Sequence, residues 1–177
     1  MKIACLGWGS LIWNPGVLPV AGEWQQDGPL LPIEFSRMSD GGELATAICL
    51  NAPLVPVYWT QLAVNSQEEA TLALREREQI PPQRKDGTGL LLIDGEAVGE
   101  LASWARERNI EALIWTALPP RVGQNEGQIP TAEQVLAYLG SLAGDVREHA
   151  RSYIEQVPAQ FETPYRRIIR SRLGWGA

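Results

Sequence analysis

The sequence predicts an α+β protein that folds as a single domain over residues 1–177. Apolar runs typical of strands are concentrated early in the chain, helix-like spacing dominates its last part, and residues 90–118 mix the two. Segregation of strands from helices is typical of the α+β class. A chain of 177 residues is close to the usual domain size of about 150 residues and can bury a core of its own.

The composition is that of an ordinary globular protein. Hydrophobic residues make up 45% of the chain, charged residues make up 20%, and the net charge is −6. A chain with net negative charge is repelled by phosphate backbones and by anionic lipid, so we expect neither a nucleic acid nor a membrane as partner. The apolar start of the chain is interrupted by Gly7 and Gly9 before it reaches the length of a secretory signal.

Cysteine and histidine are scarce, with Cys5, Cys49 and His149 as the full set. Both cysteines lie in apolar runs, where a thiol behaves as a small hydrophobe. One histidine and two separated cysteines do not form a zinc-binding pattern, so we expect no metal site. A cytoplasmic location, where thiols stay reduced, is the resulting prediction.

Four strands are predicted in the first part of the chain. Lys2–Gly7 has apolar residues without alternation, which indicates a buried strand, and residues 14–32 are rich in Pro and Gly, which indicates a loop. The other three predicted strands, expected to form an antiparallel meander, cover Ile33–Met38, Leu44–Leu50 and Val57–Val64. Since Pro56 cannot donate a ladder hydrogen bond, we expect the last strand to begin after Pro56 or to lie at a sheet edge.

Helical signals dominate after residue 65. A helix over Ser66–Ile80 is predicted by the capping pattern of Ser66 with Glu69 and by Pro81 at its end. The remaining predicted elements are a strand over Leu90–Ile93, a helix over Gly95–Asn109, a strand over Ile110–Leu118, a loop over Pro119–Pro130, and helices from Thr131 to about Leu142, over Asp145–Gln156 and over Pro164–Leu173. The loop is long enough to border a functional site.

The most informative segment follows the first predicted strand, where residues 7–13 read Gly-Trp-Gly-Ser-Leu-Ile-Trp. Two glycines separated by one residue let the backbone turn sharply, approach a ligand and direct several N–H groups into one concavity. Such a turn can hold an anion, and a plain strand-to-loop turn between two core tryptophans is the alternative. The flanks of Ser10 do not form a nucleophile elbow, so a serine hydrolase using Ser10 and His149 is disfavoured.

Three segments resemble one known family. Gly7 to Pro15 is similar to the opening signature of the γ-glutamylcyclotransferase-like superfamily, particularly its ChaC-type branch, where the segment is approximately GYGSLIWxP; Trp8 stands where tyrosine is usual. Phe35-Ser36-Arg37 resembles a Tyr-Ser-Arg segment of that branch. Leu74 to Glu78 resembles a helical element that ends in the family's general base, and Gln79 follows where glycine is common. The resemblance covers the first half of the chain.

The resemblance implies a γ-glutamylcyclotransferase-like fold, with a small mixed β-barrel or curled sheet and surrounding helices. It implies that Glu78 is the catalytic base and that no cofactor or metal is needed. The substrate-binding backbone cradle that it implies consists of Trp8, Gly9, Ser10 and Leu11. The family's pocket often includes a tyrosine hydroxyl from the later half of the chain. Tyr138 is the first candidate for it, and the sequence leaves open which tyrosine it is.

The residues themselves leave two roles open. At 100° per residue, Glu76 and Glu78 lie on the two flanks of the buried helix face, so either carboxylate can border a site or remain solvated. Glu78 is preferred because of the resemblance, and Glu76 is its rival. Arg37 can bind a substrate carboxylate through its planar guanidinium, or it can pair with Asp40 or Glu43.

The implied reaction converts a small γ-glutamyl amine or peptide into 5-oxoproline and a free amine, as in glutathione-related metabolism. The substrate's own α-amine attacks its γ-carbonyl, so the protein must supply a base and an oxyanion cradle but no nucleophile. The alternative is a non-catalytic binding or sensing module on the same fold, motivated by Trp8 and Gln79. The sequence predicts neither the released amine nor an oligomeric state.

Overall fold

The computed structural model describes residues 1–176 and is α+β, as the sequence predicts. Its strands are β1 (Ile3–Gly7), β2 (Leu30–Met38), β3 (Leu44–Ile48), β4 (Leu54–Pro56), β5 (Tyr58–Gln61), β6 (Thr88–Leu92), β7 (Ala112–Thr116), β8 (Arg121–Val122) and β9 (Asn125–Glu126). Its helices are α1 (Gln67–Arg77), α2 (Glu100–Glu107), α3 (Ala132–Ser141), α4 (Gly144–Gln156) and α5 (Pro164–Leu173).

The chain divides into two units. Unit 1 comprises residues 1–7, 11–30 and 56–118, and unit 2 comprises residues 8–10, 31–55 and those from 119 onward. The single-domain organisation expected from the length stays a prediction. The Gly7–Pro15 motif is divided between the units, because Gly7 and residues 11–15 belong to unit 1 and residues 8–10 belong to unit 2.

Unit 1 is built on a four-stranded mixed sheet in the order β5-β1-β7-β6. β1 is antiparallel to β5 and parallel to β7, and β6 is antiparallel to β7. All five residues of β1 are buried, which explains its continuous apolar sequence, since an inner strand must be apolar on both faces. The core against the sheet consists of Ile3, Cys5, Leu11, Leu18, Leu62, Val64, Ala70, Leu74, Ala112 and Ile114.

The expected antiparallel meander is wrong in its third strand. β2 and β3 pair antiparallel, but β5 pairs with β1 rather than with β3. Strand propensity is a local signal and the choice of partner is not, so this pairing leaves no pattern in the sequence. The expectation about Pro56 is confirmed, because β5 begins at Tyr58 and forms an edge of its sheet.

Unit 2 contains the second mixed sheet, in the order β3-β2-β8-β9, with β4 also paired to β2. The β2–β3 ladder is irregular between Phe35 and Arg37, and β2 is parallel to β8 where Arg37 lies opposite Arg121. Strands β8 and β9 form a hairpin inside residues 119–130, which the sequence predicted as a loop. Two-residue strands are too short to leave a periodic pattern.

Local signals set the helix boundaries. The Ser66 hydroxyl accepts a hydrogen bond from the Glu69 N–H at 3.1 Å and caps α1. Helix α5 covers the predicted residues Pro164–Leu173, with proline in its first turn. Helix α2 begins later than predicted, because the Asp94 carboxylate accepts hydrogen bonds from the N–H groups of Glu96 and Ala97, both at 2.9 Å, and holds that segment as a turn.

Within residues 1–176, every helix is too short or too polar to cross a lipid bilayer.

Candidate functional site

The glycine turn of the motif, residues 8–10, belongs to unit 2 and packs tightly against two hydroxyl groups of the same unit. The Thr46 hydroxyl donates a hydrogen bond to the Trp8 carbonyl at 2.8 Å, and the hydroxyls of Thr46 and Tyr153 are 3.0 Å apart. A Cβ atom on Gly9 would lie 2.6 Å from the Tyr153 hydroxyl and 2.7 Å from the Thr46 hydroxyl. Glycine is therefore required at position 9 by close packing within the protein.

The side chains of the predicted cradle are mostly inside the protein. Trp8 is 5% exposed and Leu11 is 6% exposed, and Leu11 belongs to the core of unit 1. Ser10 is half-buried. At Trp8 and Leu11, therefore, only main-chain groups are suited to contact a ligand, which is the form of contact that the resemblance implies. Their binding role stays a prediction.

The two candidate glutamates occupy different positions at the end of α1, because Glu76 lies within the helix and Glu78 follows its last residue. Helix α1 ends with Glu78 as its C-cap residue, and the next two N–H groups, of Gln79 and Ile80, donate back to the carbonyls of Glu76 and Arg75 at 3.1 and 3.0 Å. This is the Schellman motif, which needs a left-handed residue after the cap. Gln79 supplies it with φ of 55°, in the conformation that glycine adopts most easily.

Glu78 is sheltered and Glu76 is not. The Glu78 side chain is 16% exposed, and Glu76 lies on the exposed surface. The Arg77 guanidinium contacts the Glu78 carboxylate at 3.2 Å and also donates to the Asn14 carbonyl at 3.0 and 2.7 Å. Arg77 thus connects Glu78 to the final part of the motif, within unit 1.

The charge of Glu78 affects the pKa of Cys5 in β1. Burial raises the pKa of the Cys5 thiol, and the negative charge of Glu78 raises it further. Electrostatic influence of this kind requires proximity, because it falls off with distance. Glu78 therefore lies near β1, whose residue Cys5 is two positions before Gly7.

Arg37 is engaged by a carboxylate that the sequence did not suggest. Its two terminal nitrogens contact the two oxygens of Glu126 at 2.6 and 3.0 Å, and it donates to the Pro119 carbonyl at 2.9 Å. The expected alternative partners are occupied elsewhere, Asp40 by Arg121 and Glu43 by His149. The bidentate geometry expected for a substrate carboxylate is thus satisfied by Glu126. A substrate-binding role for Arg37 stays a prediction.

The tyrosine that meets the glycine turn is Tyr153, not Tyr138. The Tyr138 hydroxyl donates to the Gly42 carbonyl at 2.7 Å, and the Tyr165 hydroxyl donates to the Pro130 carbonyl at 2.7 Å. A signal for Tyr153 was present, because it follows Ala150 by three residues on the buried face of α4. A buried tyrosine needs a partner for its hydroxyl, but the sequence does not name that partner.

Comparison with known proteins gives no family assignment. No protein-family model matches the chain, and a search of curated proteins finds no match. Residues 1–176 contain no group of three or more His, Cys, Asp or Glu side chains arranged to hold a metal ion.

Proposed function

We propose that this chain has the γ-glutamylcyclotransferase-like fold and converts a γ-glutamyl amine or peptide into 5-oxoproline and a free amine. Glu78 is the general base, and the main chain of Trp8 to Leu11 binds the γ-glutamyl group. The reaction uses no cofactor. A cytoplasmic location goes with this proposal, because Cys5 and Cys49 are both free thiols, the state that a reducing compartment maintains.

The observation that carries the proposal is the position of Glu78 in unit 1. Its side chain is 16% exposed, it contacts Arg77, and its charge acts on Cys5 close to the start of the motif. Glu76, two residues earlier, is exposed. A general base must be held in one geometry, and the contact of Arg77 with the sheltered Glu78 carboxylate supports that role for Glu78.

The chemistry needs one proton carrier and one oxyanion site. Glu78 removes a proton from the substrate's α-ammonium group, and the free amine then attacks the γ-carbonyl carbon. The C–N bond that forms closes the five-membered ring, and main-chain N–H groups stabilise the tetrahedral oxyanion. The C–N bond to the leaving amine then breaks as Glu78 returns the proton to that nitrogen, and Glu78 transfers the second proton of the ring nitrogen to the released amine, which becomes an ammonium. Atoms and charge balance without any further reactant.

Arg37 supports this reaction only if it exchanges partners. Its guanidinium is already paired with both oxygens of Glu126. A substrate carboxylate must therefore displace Glu126, whose side chain is 38% exposed and can move into solvent. We therefore propose that Arg37 binds the carboxylate of the substrate after Glu126 has been displaced.

The test is production of 5-oxoproline from a panel of γ-glutamyl amines, γ-glutamyl dipeptides and glutathione, followed by mass spectrometry. Glu78→Gln should reduce turnover at least 1,000-fold, on the scale of losing an essential base, and keep the same melting temperature. Glu76→Gln is the matched control and should keep full activity. Loss of activity in Glu76→Gln with full activity in Glu78→Gln would reverse the assignment. Thermal stabilisation by a γ-glutamyl compound without product would favour the binding module.

A further inference from the structure

The hydrogen bonds around Trp8 form a directed chain inside unit 2. A carbonyl can only accept, so the Thr46 hydroxyl proton goes to the Trp8 carbonyl oxygen, 2.8 Å away. The Tyr153 hydroxyl is then the donor to the Thr46 hydroxyl oxygen, 3.0 Å away. The Thr46 backbone N–H in turn donates to the Tyr153 oxygen at 3.1 Å. Thr46 and Tyr153 therefore hold each other through two contacts, and Thr46 holds the turn.

Both residues are buried, so these contacts are not exchanged freely with water. Thr46 is 8% exposed and Tyr153 is 7% exposed. A hydrogen bond in a buried site is stronger than one in water, and a buried polar atom without its partner is costly. The Trp8 carbonyl is thus fixed in direction.

A fixed carbonyl fixes the N–H on the other side of the same peptide bond. The described chain has no cis peptide bond, so the Trp8–Gly9 peptide is planar and trans. In a trans peptide the C=O and N–H bonds point in opposite directions. With the Trp8 carbonyl directed at Thr46, the Gly9 N–H is directed away from Thr46.

We propose that Thr46 and Tyr153 are positioning residues that hold the Trp8–Gly9 peptide so that the Gly9 N–H serves as an oxyanion donor. This inference rests on the proposed cyclotransferase reaction and adds two residues to it. Neither residue touches the reacting atoms. They act by preventing the peptide from rotating, because a donor that is already oriented needs no reorganisation when charge develops on the substrate oxygen.

The test compares Thr46→Val, Thr46→Ser and Tyr153→Phe. Thr46→Val removes the hydroxyl and keeps the shape, and it should lower kcat by about 10- to 100-fold with little change in KM, somewhat less than the loss of a whole oxyanion donor. Thr46→Ser keeps the hydroxyl and should restore most of kcat. Tyr153→Phe keeps the Thr46 donor and should lower kcat by less than Thr46→Val.

Thr60→Val is the matched control for a merely structural effect. Thr60 is a fully buried threonine of unit 1 whose hydroxyl also donates to a backbone carbonyl, that of Glu23, at 3.2 Å. Its loss should lower the melting temperature and leave kcat unchanged. If Thr60→Val lowers kcat as much as Thr46→Val does, Thr46 is only structural and the inference is wrong.

A second readout does not depend on activity. The carbonyl ¹³C resonance of Trp8, observed by NMR, responds to loss of its hydrogen bond, so it should shift in Thr46→Val and stay in place in Thr46→Ser and Thr60→Val. An unchanged resonance in Thr46→Val overturns the inference even if the enzyme is active. If the unmodified protein makes no 5-oxoproline from the panel, the proposed function fails, and the oxyanion role fails with it. A shifted Trp8 resonance in Thr46→Val would in that case show only that Thr46 fixes the Trp8–Gly9 peptide.

Discussion

The sheets of unit 1 and unit 2 share one pattern of pairings, antiparallel, then parallel, then antiparallel. Their parallel pairs differ in kind. In unit 1 the pair runs through Ile3, Ala4 and Cys5, all fully buried. In unit 2 it consists of Arg37 opposite Arg121, with Glu126 in contact with both guanidinium groups. The same strand arrangement is therefore accompanied by apolar packing in one unit and by ion pairs in the other.

The distribution of buried polar residues extends this difference. Seven polar or charged residues are buried within residues 1–176, and Thr60 is the one that belongs to unit 1. The six in unit 2 are Glu34, Ser36, Thr46, Arg121, Thr163 and Arg166. An apolar core tolerates loose complementarity, but a buried polar group is stable only with its partner in place. Unit 2 should therefore be the more sensitive to changes that remove one partner.

The largest expected effect tests the apolar unit. Leu74 of α1 is fully buried in the core of unit 1, so Leu74→Ala should lower the free energy of unfolding by about 3–4 kcal/mol through lost transfer energy and an unfilled cavity. Urea unfolding measures the change. Leu72→Ala is the control on the same helix, because Leu72 is 69% exposed. An equal loss in the two variants would contradict the apolar account of unit 1.

A somewhat smaller effect tests the polar unit. The guanidinium of Arg166, which is 5% exposed, donates to four carbonyls, those of Ile154, Val157, Pro158 and Phe161. Arg166→Met keeps most of the buried volume and removes every donor, so it should cost about 2–3 kcal/mol of unfolding free energy.

Arg172, which is exposed on α5, supplies the control for Arg166. Arg172→Met should change the unfolding free energy by less than about 0.5 kcal/mol. If Arg166→Met is equally neutral in urea unfolding, the polar contacts of unit 2 do not stabilise it and the comparison fails.

The smallest effect is a pH dependence that arises from Glu34. Its carboxylate accepts hydrogen bonds from the N–H groups of Phe35 at 2.9 Å and Tyr165 at 3.2 Å. Burial nevertheless raises the pKa of Glu34 above its ordinary value of 4.5. The folded state then binds the proton more tightly than the unfolded state does. The stabilisation is complete below 4.5 and is lost as the pH rises through the folded pKa.

Glu34→Gln should therefore flatten the fall in unfolding free energy that accompanies rising pH above 4.5. Urea unfolding between about pH 2 and pH 8 measures it. Asp27→Asn is a control of opposite sign, because the Trp59 indole N–H lowers the pKa of Asp27 and its contribution is lost as the pH falls. An unchanged slope in Glu34→Gln would mean that this carboxylate is not coupled to folding.

The sequence predictions succeeded where a feature depends on local signals. β1 was predicted because its burial is reflected in consecutive apolar residues, and α5 was predicted because Thr163 and Pro164 are local signals. The contacts that organise unit 2 are not local. Thr46 and Tyr153 are 107 positions apart and Arg37 and Glu126 are 89 apart, so propensity and periodicity carry no information about them.

The candidate site shows the limit of periodicity most clearly. Helical spacing leaves Glu76 and Glu78 equivalent on the two flanks of α1. They are distinguished by the helix end at Glu78 and by Arg77, which contacts the Asn14 carbonyl 63 positions away. The helix end is a feature of the backbone and the Arg77 contact is a tertiary contact. Neither can be predicted from the spacing of charged residues.

The left-handed backbone of Gln79 also bears on a difference from the family that the chain resembles, in which glycine is common at this position. A side chain in this conformation costs about 1 kcal/mol relative to glycine, but glycine would give the unfolded chain more freedom and offset part of that gain. Gln79→Gly should therefore be close to thermodynamically silent. The helix end thus accommodates glutamine after Glu78 at little cost, and the presence of Gln79 is no evidence against the role proposed for Glu78.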